Sequence, residues 1–249
     1  AEVVVATTLA QLGQNVAFVS VVPENRLGTN AIMNLARYGI DTARILRSNH
    51  RMGLYYTERG RSIRPTVVTY DRSDTSMANA QREDFDWDHI LNGVEVFFFS
   101  GVVPAISDEM YHACIEALRA CKGRGIKTIM DLNYRETMWS REEALSVCFV
   151  VRQIDRYDVA RIRGAKVTRE ETFLSLPQHV ALADISSCGS VFAAAIVHGE
   201  TNRWEQQFLV DFATMSSAFK ATVSGDLSNA TETEIASLLA AGVKPSIRQ

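Results

Sequence analysis

The sequence predicts an α/β fold with a mostly parallel sheet, helices on both faces and a small β-hairpin lid. Helical and strand patterns alternate over residues 1–46, as is typical of parallel strands joined by helices. Residues 94–99 form a continuous apolar run, which indicates a strand covered on both faces. Residues 52–58 and 63–70 are short, rich in Tyr, Thr and Val, and separated by a turn-like stretch. They break the alternation and predict an antiparallel hairpin.

The amino-terminal part contains two helix–strand units. A helix is predicted over residues 1–12, ended by Gly13, and a β-branched strand over residues 16–22. A second helix over residues 29–38 leads into a strand over residues 41–46. This order predicts neighbouring parallel strands.

The middle of the chain continues the same pattern. A helix capped by Ser107 follows the strand at residues 94–99, and the next strand covers residues 127–131. Ser140 with Glu143 forms a capping-box pair that predicts another helix, whereas residues 147–183 show no clear period. The apolar stripe of the Ser107 helix consists of Met110, Ala113, Cys114, Ala117, Leu118 and Cys121.

The carboxyl-terminal part predicts a buried helical layer. Residues 184–199 pass from small polar residues into an apolar helix, and residues 204–221 form a long helix with a phenylalanine-rich side. Thr231 and Glu234 cap a last helix that ends at Gly242.

Composition excludes several classes of protein. With 249 residues, 47% hydrophobic and 22% charged, the chain can bury a full core, and we expect one domain over residues 1–249 with residues 52–72 as its lid. The net charge of -3 argues against a nucleic-acid or anionic-membrane partner. Without an apolar run long enough to cross a bilayer or a signal-peptide pattern, the expected location is cytoplasmic. The cysteines are predicted to be reduced thiols: Cys114, Cys121, Cys148 and Cys188.

The stretch over residues 184–190 is suited to binding phosphate. The first N–H groups of a helix lack intrahelical partners and carry partial positive charge, so they bind anions. Ser190 is expected at the helix mouth as a cap. The alternative is structural, because the alanines at residues 193–195 allow close packing in any α/β protein.

Two further groups of polar residues could recognise a ligand. Arg135 follows the strand at residues 127–131, at the edge where open α/β sheets bind ligands. Tyr70 and Arg72 point to one face of the hairpin, and Tyr55 on the preceding strand could share that face. The alternatives are a solvated loop arginine and tyrosines that serve only as good strand formers.

Residues 184–190, followed by Phe192, resemble the signature Asp-Thr-Thr-Gly-Ala-Gly-Asp of the ribokinase-like (PfkB) sugar kinases. Asp184, Gly189 and Phe192 match. The resemblance implies an anion hole for the transferred phosphate and a catalytic role for Gly189. It also puts Ser190 where the family has the Asp that takes a proton from the sugar hydroxyl. The anion-hole residues would be Ser187, Cys188 and Gly189.

A second set of motifs resembles the branch of this family that phosphorylates 2-keto-3-deoxygluconate. It consists of residues 52–56, Tyr70 with Arg72, and residues 131–135, supported by residues 23–28 and 224–226, whereas Val4 stands where an Asn is expected. The resemblance implies that the sugar acid is held by Tyr55, Tyr70, Arg72 and Arg135, with both arginines facing its carboxylate.

The resemblance implies an ATP-dependent kinase, using Mg2+, that phosphorylates the terminal hydroxyl of a sugar acid. No residue is assigned as a metal ligand, and a homodimer through the lid is expected. Positioned proton transfer is worth about a hundred- to ten-thousand-fold in rate, and a serine cannot act as a base at neutral pH. Two alternatives therefore stay open: an impaired relative that binds a sugar acid or nucleotide, and a kinase for a neutral sugar.

Overall fold

The structure is a computed structural model that describes residues 1–60, 63–133, 138, 161–162, 164–167 and 171–241. Its helices are α1 (Glu2–Gln11), α2 (Arg26–Ala36), α3 (Trp87–Ile90), α4 (Asp108–Arg124), α5 (Cys188–Thr201), α6 (Gln206–Ala221) and α7 (Glu232–Ala241), with a 3-10 turn at Arg82–Asp84. Its strands are β1 (Ser20–Pro23), β2 (Ile45–Ser48), β3 (Leu54–Glu58), β4 (Val67–Asp71), β5 (Val96–Ser100), β6 (Lys127–Asp131), β7 (Arg161–Ile162), β8 (Ala165–Val167), β9 (Thr172–Leu174) and β10 (Gln178–His179).

Helices cover both faces of the parallel strands. β1 pairs in parallel with β2, and β5 pairs in parallel with β6. Because side chains alternate along a strand, Val96 and Phe98 pack against α1 and α5, whereas Phe97 packs in the cluster formed by α3 and α4. The predicted α/β architecture is confirmed in this part of the molecule.

The two parallel pairs belong to separate ladders in the part of the chain that the structure describes. A cavity of about 530 Å³ is lined by residues 16–19, which lead into β1, and by residues 93–99 at β5. Among the described residues, the parallel pairs of the predicted sheet are β1–β2 and β5–β6. The other pairs, β3–β4, β7–β10 and β8–β9, are antiparallel, and the last two lie in the region without a sequence prediction.

Capping residues explain where the helix boundaries differ from the sequence predictions. α2 begins three residues earlier than predicted because the Asn25 side chain accepts hydrogen bonds from the N–H groups of Leu27 and Gly28, at 3.0 and 3.2 Å. α6 begins two residues later than predicted, where the Glu205 carboxylate accepts from Gln207 and Phe208.

Several other predictions can be compared directly. The capping pair of α7 is confirmed, since the Thr231 hydroxyl accepts from the Glu234 N–H at 3.3 Å. A strand is predicted over residues 16–22, but the pairing with β2 begins at Ser20. Ala17 forms an isolated bridge to Asp41. Val4, which stands where the resemblance leads us to expect an Asn, is buried in α1. The helix predicted from Ser140 and the end at Gly242 lie outside the described residues.

The predicted hairpin is present and stands out from the body of the molecule. β3 and β4 pair antiparallel, with Tyr55 opposite Tyr70, and every residue of β3 is exposed. We call residues 54–60 and 63–72 the flap. Because the flap contributes little to the core, its side chains are available for contacts with a ligand or with another chain.

Of the described helices, α6 has the largest share of buried residues, and α5 packs along it. Ala195 of α5 packs in one cluster with Phe212 and Ala213 of α6, whereas Ala194 packs in another with residues of α1, and both alanines are inaccessible to solvent. Cys114, Cys121 and Cys188 are buried reduced thiols, as predicted, and Cys148 lies outside the described residues. Burial raises the pKa of the Cys114 thiol to about 12, so this cysteine stays protonated.

Candidate functional site

The loop before α5 forms a sharp turn that opens the helix at Cys188. Ser187 occupies the cap position with a positive φ of 62°, and its side chain makes no capping hydrogen bond. Ser190 is therefore not the cap predicted from the sequence. It is the third residue of the helix, because the left-handed turn at Ser187 starts the helix earlier. The N–H groups of Gly189 and Ser190 thus belong to the first turn, where helices bind anions.

Asp184 holds the loop in place through both carboxylate oxygens. Oδ1 accepts a hydrogen bond of 2.9 Å from the Ser186 N–H, and Oδ2 accepts one of 3.1 Å from the Gly225 N–H. Gly225 has a φ of 94°, a conformation that favours glycine. Burial opposes ionisation of Asp184, but these hydrogen bonds and the nearby Lys220 outweigh it and lower the pKa of the carboxyl. Asp184 is therefore a charged structural support of the loop.

A buried cation lies beneath the same loop. Lys220 of α6 is inaccessible to solvent, and its ammonium group donates to the carbonyl oxygens of Asp184 and Val223 at 3.4 and 3.2 Å. A buried charge is costly unless it is hydrogen-bonded. Lys220 therefore fixes the carbonyl groups on both sides of the turn and adds positive charge near the start of α5.

The flap folds over this loop and contacts it at two points. The Tyr55 hydroxyl donates a hydrogen bond of 2.6 Å to Oδ2 of Asp226, and Nη1 of Arg59 lies 3.5 Å from Oδ2 of Asp184. The Ser187 hydroxyl donates to Oδ1 of Asp226 at 3.4 Å. One carboxylate therefore joins the flap to the turn that opens α5.

The Tyr55 phenol is held in its neutral form by this contact. Its hydrogen bond to Asp226, together with burial and the negative charge of Asp226, raises the pKa of Tyr55 to about 12. At neutral pH the phenol is therefore a hydrogen-bond donor, and it fixes the orientation of the Asp226 carboxylate.

The structure brings together three of the four predicted substrate-binding residues. The guanidinium carbon of Arg72 lies 3.9 Å from the centre of the Tyr70 ring, and the rings of Tyr70 and Tyr55 are 6.3 Å apart. Nη1 of Arg72 also lies 3.3 Å from Sδ of Met138, which belongs to the segment after β6. Arg135 lies outside the described residues.

Some contact residues of this region were not among the predicted site residues. Arg59 lies in the turn-like stretch between the two segments of the predicted hairpin, and residues 224–226 form one of the motifs that support the resemblance. The sequence did hold a signal for Lys220, because a lysine between Phe219 and Ala221 on a helix predicted to be buried indicates a buried charge. The sequence held no signal for the pairing of Tyr55 with Asp226, because the two are 171 positions apart.

The phosphate chain of ATP fits the chemistry of this region. Residues 186–190 carry only small side chains around the first-turn N–H groups of α5, and the buried Lys220 adds positive charge. Within the described ranges, no three His, Cys, Asp or Glu side chains form a cluster that could hold a metal ion without other ligands. Magnesium is commonly held by one or two carboxylates and by substrate phosphates, so a magnesium ion at this site would be bound mainly through the phosphates of ATP.

Three comparisons with known proteins agree with this architecture. A family model described as pfkB family carbohydrate kinase matches residues 2–171. The crystal structure of a 2-dehydro-3-deoxygluconokinase from Thermotoga maritima has a TM-score of 0.87 and 28% identity, covering 96% of this chain and 89% of that one. A putative ribokinase II from E. coli, solved with ATP and Mg2+, has a TM-score of 0.80 at 16% identity, over 96% and 87% of the two chains, and shows the fold alone.

Among curated proteins, a 2-dehydro-3-deoxygalactonokinase from Haloferax volcanii is 34% identical over 148 residues. The match covers 59% of this chain and 46% of the relative, so the chain spans about half the length of that protein. None of the described helices combines the length and the apolar character needed to cross a membrane.

Proposed function

Because the chain belongs to the pfkB family of carbohydrate kinases, we propose that it transfers the γ-phosphoryl group of ATP to the terminal hydroxyl of a sugar acid. Family membership confirms the resemblance stated from the sequence, and the similarity to known structures confirms the ribokinase-like α/β fold. The proposed substrate is 2-keto-3-deoxygluconate. Its support is the similarity to kinases named for dehydrodeoxy sugars together with the cationic flap.

The observation that carries the proposal is the contact between the flap and the start of α5. The hydrogen bond from Tyr55 to Asp226 brings the face of the flap that we propose for the sugar next to the turn that we propose for the phosphate. Phosphoryl transfer needs mainly positioning and stabilisation of negative charge. A sugar held on the flap with its terminal hydroxyl toward Gly189 would meet both requirements.

Each residue of the site has a defined task in this proposal. Arg72, and Arg135 from the segment after β6, neutralise the carboxylate of the sugar acid, since a guanidinium can bind a carboxylate with two hydrogen bonds. Tyr55 and Tyr70 orient the sugar. The anion hole at Ser187, Cys188 and Gly189 stabilises the charge that develops on the transferred group. ATP would enter as its magnesium complex.

A homodimer through the flap is part of the proposal. Tyr55 and Tyr70 lie on the face toward Asp226, and the alternate residues point the other way. On that outer face Leu54, Tyr56 and Val67 are 40%, 60% and 51% exposed. These apolar side chains on a projecting hairpin support contact with a second copy of the chain.

A second candidate function is that of an impaired relative that binds the sugar acid or nucleotide without turnover. The observation that favours it is Ser190, which stands in the first turn of α5 where the family has an Asp. The substitution Ser190→Asp separates the two functions. A large gain in turnover from a silent parent would favour the second candidate.

The test of the proposed function is ADP release from ATP and Mg2+ with 2-keto-3-deoxygluconate, with gluconate, ribose and fructose as parallel substrates. Turnover confined to the keto-acid is the expected result. Turnover with ribose or fructose at comparable kcat/KM would contradict the sugar-acid assignment. Silence with every sugar, in protein that still binds the keto-acid by calorimetry, would exclude the kinase function.

A further inference from the structure

A kinase of this kind needs a proton acceptor near the transferred phosphate, and Ser190 cannot fill that role. Positioned general bases contribute about a hundred- to ten-thousand-fold in rate. Among the described residues, the carboxylates that contact the loop before α5 are those of Asp184 and Asp226. The choice between them follows from their partners.

Asp184 is committed to the backbone. Its oxygens accept from the N–H groups of Ser186 and Gly225, and Oδ2 also faces Arg59. A carboxylate stabilised by several donors is a poor proton acceptor, because protonation would break those contacts. Asp184 therefore supports the loop and does not serve as the base.

Asp226 has different surroundings. Its carboxylate accepts hydrogen bonds from two hydroxyl groups, those of Tyr55 on the flap and Ser187 at the start of α5. Unlike a backbone N–H, a hydroxyl can turn away and be replaced by a hydroxyl of the substrate. Asp226 is also exposed, so a ligand can reach it. The cap and the third residue of a helix lie on the same side of its first turn, which brings Ser187 and Ser190 to one end of α5.

We propose that Asp226 is the general base of the phosphoryl transfer, supplying from the turn after α6 the carboxylate that α5 lacks at Ser190. The inference rests on the proposed kinase function. The substrate hydroxyl gives its proton to the Asp226 carboxylate while its oxygen forms a bond to the γ-phosphorus of ATP. The bond from that phosphorus to the bridging oxygen breaks, and ADP leaves with the electron pair. The proton then passes from Asp226 to solvent.

The experiment measures ADP release by the full chain and its variants with 2-keto-3-deoxygluconate, ATP and Mg2+. Asp226→Asn keeps an oxygen acceptor for Tyr55 but removes the base. We expect kcat to fall about a hundred- to ten-thousand-fold with KM changed little. The acidic limb of the pH profile of kcat should disappear in the same variant. Asp226→Glu, which keeps the carboxylate one methylene further out, should retain an intermediate kcat.

A matched control and a rescue make the test specific. Asp88→Asn removes an exposed carboxylate that pairs with Arg124 on α4, and it should leave kcat unchanged. Adding Ser190→Asp to Asp226→Asn should restore turnover, since it returns an acid to the position the family uses. Melting temperatures of all variants show whether a loss of kcat reflects unfolding.

The outcomes separate this inference from the proposed function. Equal kcat in the parent and Asp226→Asn would overturn the role of Asp226 and leave the kinase function intact. A silent parent that becomes active only through Ser190→Asp would also overturn it, in favour of the impaired relative. If neither the parent nor Ser190→Asp released ADP while both still bound the keto-acid, the role of Asp226 and the kinase function would both be overturned.

Discussion

The guanidinium group of Arg72 stacks on the ring of Tyr70, with 3.9 Å between the guanidinium carbon and the ring centre. A cation over an aromatic face is stabilised by about 0.5–1 kcal/mol at an exposed site. The contact also limits the positions that a long, flexible side chain can take. The flap thus presents its positive charge beside the tyrosines that are expected to bind the sugar.

Replacing Arg72 by Ala should weaken binding of a sugar acid more than that of a neutral sugar. A hydrogen bond to a charged group contributes about 1.5–3 kcal/mol, so we expect the KM for 2-keto-3-deoxygluconate to rise about 10- to 100-fold. Arg64→Ala is the matched control, because Arg64 is another flap arginine and pairs with Glu58 at 3.4 Å. Steady-state kinetics check the result, and equal effects of Arg72→Ala on acid and neutral sugars would refute the carboxylate assignment.

The Tyr55 phenol should titrate at unusually high pH. Its pKa is raised to about 12 by the hydrogen bond to Asp226, burial and the charge of Asp226. This contact therefore stabilises the fold fully below the ordinary tyrosine pKa of about 10, and the contribution is lost as pH rises through the folded value. The difference between the 295 nm titrations of the parent and Tyr55→Phe isolates this phenol. Asp226→Asn should move its midpoint down, and an unchanged midpoint would contradict the contact.

Glu200 joins α5 to two strands through Lys127 and Lys166, and its loss should destabilise the protein. Burial opposes ionisation of Glu200, but hydrogen bonds from both lysines outweigh it and lower the pKa of the carboxyl. Because the pKa is depressed, the stabilisation is present above the unfolded pKa and is lost as pH falls through the folded one.

We expect Glu200→Gln to lower the free energy of unfolding at pH 7 by about 1–2 kcal/mol. The difference from the parent should shrink in acid. Denaturant unfolding at pH 7 and pH 3 measures both values. Glu83→Gln serves as the control, since Glu83 pairs with Arg82 at the exposed surface. A deficit of the Glu200 variant that stays constant across this pH range would rule out the ionic explanation.

Asp184→Asn should loosen the loop before α5. One oxygen of Asp184 accepts from Ser186 and the other from Gly225, so an amide group can replace only one of these acceptors. An unpaired buried donor costs about 1–3 kcal/mol. The expected result is a loss of stability in that range and faster hydrogen exchange at the amides of Ser186 and Gly225. Exchange at the parent rate would contradict the support role of Asp184.

Tyr56→Glu should separate a dimer that forms through the outer face of the flap. Tyr56 is 60% exposed and points away from Asp226, so the new charge would lie in the interface without touching the site. Sedimentation velocity should show a dimer for the parent and a monomer for the variant. Thr57→Glu, on the inner face, is the comparison. A monomeric parent would exclude the proposed dimer.

The sequence determined much of the architecture because local patterns carry it. The apolar run at residues 94–99 predicted a strand covered on both faces, and the structure places Phe97 and Phe98 against different helical layers. The turn between two Tyr- and Thr-rich segments predicted the flap. Helix ends were less certain, because a single cap such as Asn25 moves a boundary by a few residues.

Tertiary structure alone decided which side chains meet at the site. The sequence singled out Tyr55 and the loop at residues 184–190, but nothing local pairs Tyr55 with Asp226. The start of α5 was likewise set by the left-handed turn at Ser187, which made Ser190 a helical residue instead of a cap. Secondary structure follows from interactions between residues that are close in sequence. The position of the Asp226 carboxylate between the flap and the start of α5 depends instead on how distant segments pack.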